Sequence, residues 1–154
     1  MSFWPKIYRK ILSQEKIFEY RRNFPKNCSY AYMYITKPIK SICAIVYFNK
    51  IYSLKDLMDE YANDTQVFNR IKNFNSSYKY AAEISSIQKI KPITLEELRK
   101  NIPNFVAPQS YILLENNPLL SSYLNEHTIF IENPINNNFS NVIKNHICKE
   151  INYD

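Results

Sequence analysis

The sequence predicts an α+β fold, and three observations carry that prediction. Helical and strand periodicities come in blocks: a short helix, several strands, two helices, then more strands. They do not alternate as βα units, so a wound parallel sheet is not expected. The chain has 154 residues, 45% hydrophobic and 15% aromatic, enough for one core and too apolar for a disordered segment. It contains no glycine. Without glycine neither a phosphate-binding loop nor a dinucleotide fingerprint can be written. Turns that need positive φ must then use Asn, Asp or another residue, at some cost.

The elements follow in order. Pro5 suits the first position of a helix, where no N–H is needed. Ile7, Tyr8, Ile11 and Leu12 recur at helical spacing, with Lys6, Arg9 and Lys10 facing out. Gln14 stands where a helix end favours glycine. From Ile17 the period becomes two, with Phe18 and Tyr20 on one face and Glu19 and Arg21 on the other. Ser29–Thr36 reads as a strand with Tyr30, Tyr32 and Tyr34 on one face, broken by Pro38. Ile39–Phe48 is apolar on both faces, the pattern of a central strand. Ser53 starts a helix, and Asp64 or Thr65 caps a second. Tyr78–Ile90 returns to strand, long enough to bend. Thr94 and Glu97 form a capping box for a helix that ends before Pro103. Ser110–Leu114 reads as the closing strand, and Asn117-Pro118 begins a short helix through Leu124. The tail, 125–154, reads as a strand at Thr128–Ile131, a Pro/Asn loop, and a helix patterned by Phe139, Val142, Ile143 and Ile147.

The charged residues gather where helix gives way to strand. Lys16 lies at the turn, free of strand parity, and can lean toward Glu19 and Arg21. We expect Glu19 and Arg21 to point into one cleft, Lys16 to stand at its mouth, and Phe18 and Tyr20 to be buried behind them. The plainer reading is a solvated strand face with a Glu–Arg pair.

Gln14-x-Lys16-x-x-Glu19-x-Arg21 resembles the Gly-x-Lys-x-x-Glu-x-Arg signature of the ASCH domain family, within the PUA-like superfamily; Gln14 replaces the Gly. Ser2-Phe3-Trp4-Pro5 resembles the short opening strand of phage-type members. Ala107-Pro108-Gln109-Ser110-Tyr111 resembles their Pro-Gln-Ser-aromatic segment. The resemblance covers roughly residues 2–124. It implies a PUA-like, partly open β-barrel flanked by short helices over residues 1–124. Residues 125–154 are then an extension, a strand plus an amphipathic helix, packed on the same domain.

The resemblance also implies a cleft with Lys16, Glu19 and Arg21 on its floor. In the superfamily such clefts bind RNA or modified bases. The residue types suit this: Lys and Arg hold phosphates, a carboxylate accepts from a base, and tyrosines stack. The candidate nucleic-acid contacts are Lys16, Glu19, Arg21 and Arg22, the helix cations Lys6, Arg9 and Lys10, and Tyr78, Gln109 and Ser110. For Tyr30, Tyr32, Tyr34, Tyr78 and Tyr80 core packing is the competing role. An alternative is a hydrolase. One branch of the family hydrolyses N4-acetylcytidine with a Lys, a Thr nucleophile and a Glu. Lys16 matches the Lys, but Glu19 stands at the Thr position, so the nucleophile is missing. Glu19 with Glu83 beside Lys16 would support hydrolysis of another amide or a phosphodiester, as in a nuclease. A third reading is a phage or regulatory protein acting on a protein partner through the C-terminal helix.

Charge is uneven. Residues 1–50 carry ten Lys/Arg against two acids, and the rest ten against twelve, within a total of +6. A basic first third with interleaved aromatics suits an anionic, stackable partner. Cys28, Cys43 and Cys148 are odd in number and scattered, so no disulfide framework is read. His146-x-Cys148 has no second pair at metal-ligand spacing, and no metal or cofactor is expected. No apolar run reaches membrane-spanning length, and the expected location is the cytoplasm.

Overall fold

The structure is a computed structural model and describes residues 1–139 and 143–153. The strands are β1 (Ser2–Phe3), β2 (Phe18–Arg21), β3 (Tyr30–Ile35), β4 (Ser41–Ser53), β5 (Tyr80–Thr94) and β6 (Ile135–Asn136). The helices are α1 (Pro5–Leu12), α2 (Leu54–Glu60), α3 (Thr65–Asn75), α4 (Leu95–Asn101), α5 (Pro118–His127) and α6 (Ile143–His146). No helix among the described residues is long and apolar enough to cross a membrane.

The sheet runs β1-β3-β4-β5-β2, with β6 also paired to β5. All pairings are antiparallel except β1 with β3. The ladder is open: β1 and β2 are its two ends. It curls because register shifts interrupt β4 opposite β5 at Ile42/Ala44, Tyr47/Phe48 and Phe48/Ile51, and β3 opposite β4 at Met33/Tyr34. Each extra residue bends its strand and adds twist. β4 is covered on both faces, as its sequence requires. Ala44 and Val46 join Phe3, Ile11, Met33 and Ile84 in one cluster. Ile45 faces the other way, with Tyr32, Ile90, Leu98 and Leu124 under α4 and α5. A third cluster, Phe18, Leu54, Leu57, Val67, Ile71 and Ile147, lies under α2, α3 and the tail.

The caps are where the sequence put them. The Ser53 side chain accepts from the Asp56 N–H, the Asp64 side chain from that of Val67, and Thr94 and Glu97 complete a reciprocal box. With no glycine, positive φ falls on Gln14, Asn27, Lys40, Asn104, Glu132 and Cys148. Only two of these are Asn. The left-handed region costs about 1–2 kcal/mol for each non-glycine residue, so packing must hold them there.

Two elements differ from expectation. Ser110–Leu114 is not a strand. The segment lies extended along β1 and gives one backbone bond, Ser2 N–H to Ser110 O at 2.8 Å, before a 3-10 turn at Leu114–Asn116. Pro108 and Gln109 precede it, and one bond makes no ladder. Thr128–Ile131 contributes only a bridge, Phe130 to Ile90, while the unpredicted β6 forms inside the Pro/Asn loop. Val142, expected on the terminal helix, lies outside the described residues.

The core assignment is testable at Ile84, which is fully buried, and Ile39, which is exposed. Ile84→Ala should lower unfolding free energy by about 2–5 kcal/mol, and Ile39→Ala by no more than about 0.5. Urea melts read both. Equal losses would show that β5 is not central.

Candidate functional site

The site begins at the end of α1. Gln14 adopts φ 60, and its side-chain amide donates to Asn136 O at 2.9 Å and Asn137 Oδ1 at 3.0 Å. Those bonds hold a conformation that glycine would adopt freely. The turn brings the Lys16 N–H to Lys10 O and feeds the chain into β2. There Phe18 pairs with Glu83 and Tyr20 with Ala81, while Glu19 pairs with Ala82 and Arg21 with Tyr80. Residues two apart share a face. Phe18 and Tyr20 therefore pack toward α2 and α3, and Glu19 and Arg21 turn to the other side.

The Glu19 carboxylate joins the group. It accepts from Arg21 Nε at 2.7 Å, and Lys16 Nζ lies 3.5 Å away. Lys16 Nζ also donates to Phe18 O at 2.6 Å and sits 4.9 Å from the centre of the Tyr20 ring. The rest of the Arg21 guanidinium reaches across the sheet opening. One nitrogen donates to Ser2 O at 2.8 Å. Another lies 3.3–3.4 Å from Ser110 Oγ and Ser110 O, and the group stacks 5.0 Å from the Phe3 ring centre. The three segments that carry the family resemblance thus meet at one side chain.

Lys16 is not at the mouth of the cleft. It is only 5% exposed, and Glu19 6%. The turn after α1 tucks the lysine stem beneath the strand, which parity could not show. Burial holds the Lys16 pKa below the ordinary lysine range, Glu19 pulls it back up, and Arg21 adds to the lowering. Burial likewise raises the Tyr20 phenol, whose oxygen accepts from the Cys148 N–H at 2.7 Å. Burial pushes the Cys148 thiol up to about 12, so it stays protonated.

Above this group opens a cleft of about 670 Å³. Lys16, Glu19, Arg21 and Arg22 line it, with Gln109 at one wall. Trp4 (63% exposed) and Tyr78 (38%) also line it. Lys149, Glu150, Ile151 and Tyr153 of the tail close another side. A smaller hollow of about 240 Å³ lies elsewhere, walled by Tyr30, Tyr32, Tyr34 and Tyr111 with Lys26 and Glu115. It lacks the signature residues, so we place the site in the larger cleft.

The other candidates sort as follows. Lys6 reaches the cleft edge, with Nζ 5.6 Å from the Trp4 ring and 5.4 Å from that of Tyr153. Arg9 and Lys10 stand on α1 away from the cleft, and Lys10 is paired with Glu15 at 2.6 Å. Ser110 touches Arg21 but does not line the cleft. Glu83 does not meet Glu19. It shares the face of Phe18 and accepts from Asn49 at 2.9 Å and from the Tyr52 hydroxyl at 2.6 Å. The carboxylate pair fails because the two residues sit on opposite faces of neighbouring strands. Trp4 and the tail residues were missed. Trp4 had a signal, since it precedes Pro5 and has no helical partner to pack on. The tail had none. Ile147 is fully buried against Phe18, and Phe139 meets the Phe18 ring edge-on at 5.6 Å.

An open, curled α+β sheet with a Lys–Glu–Arg group at its seam is the PUA-like class of domain. No family model matches the chain. A curated protein of Zymomonas mobilis, an ASCH domain-containing ribonuclease, is 27% identical over 119 residues, 71% of this chain and 79% of that protein. The crystal structure of ASCH from Zymomonas mobilis matches with a TM-score of 0.54 at 26% identity, over 86% of this chain and 96% of that one. A mutant of that protein, with one tyrosine replaced by phenylalanine, matches at 0.57 and 26% identity, over 84% and 96%. Sequence and fold agree with the signature: the chain is similar to ASCH domain proteins in both.

The electrostatics of Lys16 can be read directly. By NMR of its ε-carbon or ζ-nitrogen, Lys16 should titrate below the ordinary lysine value. Glu19→Gln removes the neighbour that favours the charged form, so the midpoint should fall further. A normal midpoint, or a rise in Glu19→Gln, would refute the buried arrangement.

Proposed function

We propose that the cleft beside Lys16, Glu19 and Arg21 binds single-stranded RNA. The observation that carries this reading is the meeting, in one open cleft, of exposed aromatic side chains with exposed cations. Trp4 and Tyr78 offer surfaces on which bases stack, and Arg22 and Lys149 are exposed for phosphates. Glu19 is held as an acceptor whose charge is balanced within the protein. The ribonuclease name of the Zymomonas relative supports an RNA-related ligand.

A second reading, cleavage of the bound RNA, is favoured by the lowered Lys16 pKa. A lysine that gives up its proton more readily suits general-base work. In that reading Lys16 takes the proton of a 2′-hydroxyl, whose oxygen attacks the adjacent phosphorus. The 5′-oxygen of the next nucleotide leaves and takes up a proton from water. The product ends carry a 2′,3′-cyclic phosphate and a 5′-hydroxyl. The guanidinium for the developing charge is Arg22, since Arg21 is spent on Glu19, Ser2 and Ser110. An N4-acetylcytidine amidohydrolase has less support: Glu19 replaces the nucleophile and Glu83 faces away. A protein partner taken through the terminal helix also has less, because Ile147 and Phe139 already pack on this domain.

Binding to a mixed single-stranded RNA pool should weaken steeply with salt. Trp4→Ala, at a ring 63% exposed, should cost about 1–3 kcal/mol of affinity with the melting temperature little changed. Labelled RNA from the same tubes, resolved by mass, reports the second reading through cyclic-phosphate ends. No binding at low salt would overturn the proposal.

A further inference from the structure

We infer that the hollow between the β3–β4 turn and α4 is a second subsite, which binds the phosphate backbone of an RNA strand leaving the signature cleft. The inference rests on the RNA reading above and deepens it, because it states where the strand goes and what holds it there.

The hollow, about 750 Å³, is lined by Thr36, Lys37, Lys40, Arg99, Tyr34 and Gln109 among others. Thr36 and Gln109 border the signature cleft as well, so the two sites are continuous. No carboxylate lines it. Among the described residues Lys37, Lys40 and Arg99 have no ion-pair partner, whereas Lys10, Lys89, Lys144, Lys16 and Arg21 each have one. Three exposed cations held together without an acid repel one another, and an anion between them removes that repulsion.

The turn that carries two of the cations is built to a fixed shape. Ile39 N–H donates to Thr36 O at 3.0 Å and Lys40 N–H to the same oxygen at 3.3 Å. Leu95 N–H then donates to Lys40 O at 2.9 Å, which ties the turn to the start of the helix bearing Arg99. Between them lies Tyr34. Its side chain is buried, and its hydroxyl has no hydrogen-bond partner among the described residues. Burial raises the phenol's pKa and the Arg99 charge opposes this, so the hydroxyl stays protonated and able to donate.

The chemistry is that of a phosphodiester and not of a base. Lys, Arg, Thr and Tyr supply donors, and no open aromatic face lines the hollow. Such contacts add affinity without reading sequence. The signature cleft holds the bases, and the backbone then passes Gln109 and Thr36 to reach the second cluster. An oligonucleotide should therefore bind much better than a short piece of the same chain.

The test compares wild type with the triple variant Lys37→Gln/Lys40→Gln/Arg99→Gln on a trinucleotide and a decanucleotide of single-stranded RNA. Wild type should bind the longer probe at least about tenfold more tightly. The variant should keep its trinucleotide affinity and lose that advantage. Its salt slope on the decanucleotide should be shallower by about 2, at roughly 0.7 per phosphate released. The three side chains are exposed, so thermal melts should coincide; a double variant at Lys37 and Lys40 serves if they do not. A triple variant that keeps the length advantage and slope would overturn the subsite and leave the cleft reading intact. Wild type that binds neither probe would overturn the cleft reading, and this inference with it.

Discussion

The Arg21 guanidinium closes a sheet that backbone hydrogen bonds leave open. β1 and β2 end the strand order and share no ladder. Arg21, on β2, donates to Ser2 O on β1, lies on Phe3, and reaches Ser110 of the segment running beside β1. Glu19 fixes the guanidinium from behind at 2.7 Å. The Arg21 side chain is 13% exposed, so it is no surface ornament. Removing one partner of a buried pair leaves the other uncompensated, and typically costs about 3–5 kcal/mol. The sequence pattern had pointed Arg21 into a cleft as a binding group, and Arg21 lines that cleft. Its contacts also tie β2 to β1, and Ser2, Phe3 and Arg21 together line the cleft.

This division of labour explains the charges. One carboxylate faces two cations, so the group carries an excess positive charge wherever Lys16 is protonated. Burial relieves that by lowering the lysine's affinity for its proton. Arg22 and Lys149 stand outside that group, both exposed on the rim. The tail adds the last wall: Ile147 anchors it in the third cluster, and the Cys148 N–H fastens it to the Tyr20 hydroxyl. Residues 149–153 then line the cleft without being deeply buried themselves.

Much of the local structure was legible because it rests on local rules. Strand parity sorted Phe18 and Tyr20 from Glu19 and Arg21, and the Ser53, Asp64 and Thr94 caps follow from short-range chemistry. What the sequence hid was three-dimensional. The depth of Lys16 depends on a turn held by bonds from Gln14 to residues 136 and 137. The separation of Glu83 from Glu19 depends on the β2–β5 register, which no spacing along the chain reports. Ser110–Leu114 has strand-like composition but lacks a partner that would pair along its length. The position of Trp4 and the tail over one cleft needed the curl of the sheet, which arises from bulges on β3 and β4.

The central claim is that one side chain holds β1 against the far end of the sheet. Amide hydrogen exchange tests it most directly. The Tyr34 N–H donates to Met1 O and the Thr36 N–H to Phe3 O, so both report whether β1 is docked. In Arg21→Gln these two amides should exchange faster than in wild type, while those of Val46 and Ile87 in the sheet centre keep their protection. If Tyr34 and Thr36 stay as protected in the variant as in wild type, β1 is held by something else, and Arg21 is not the clasp.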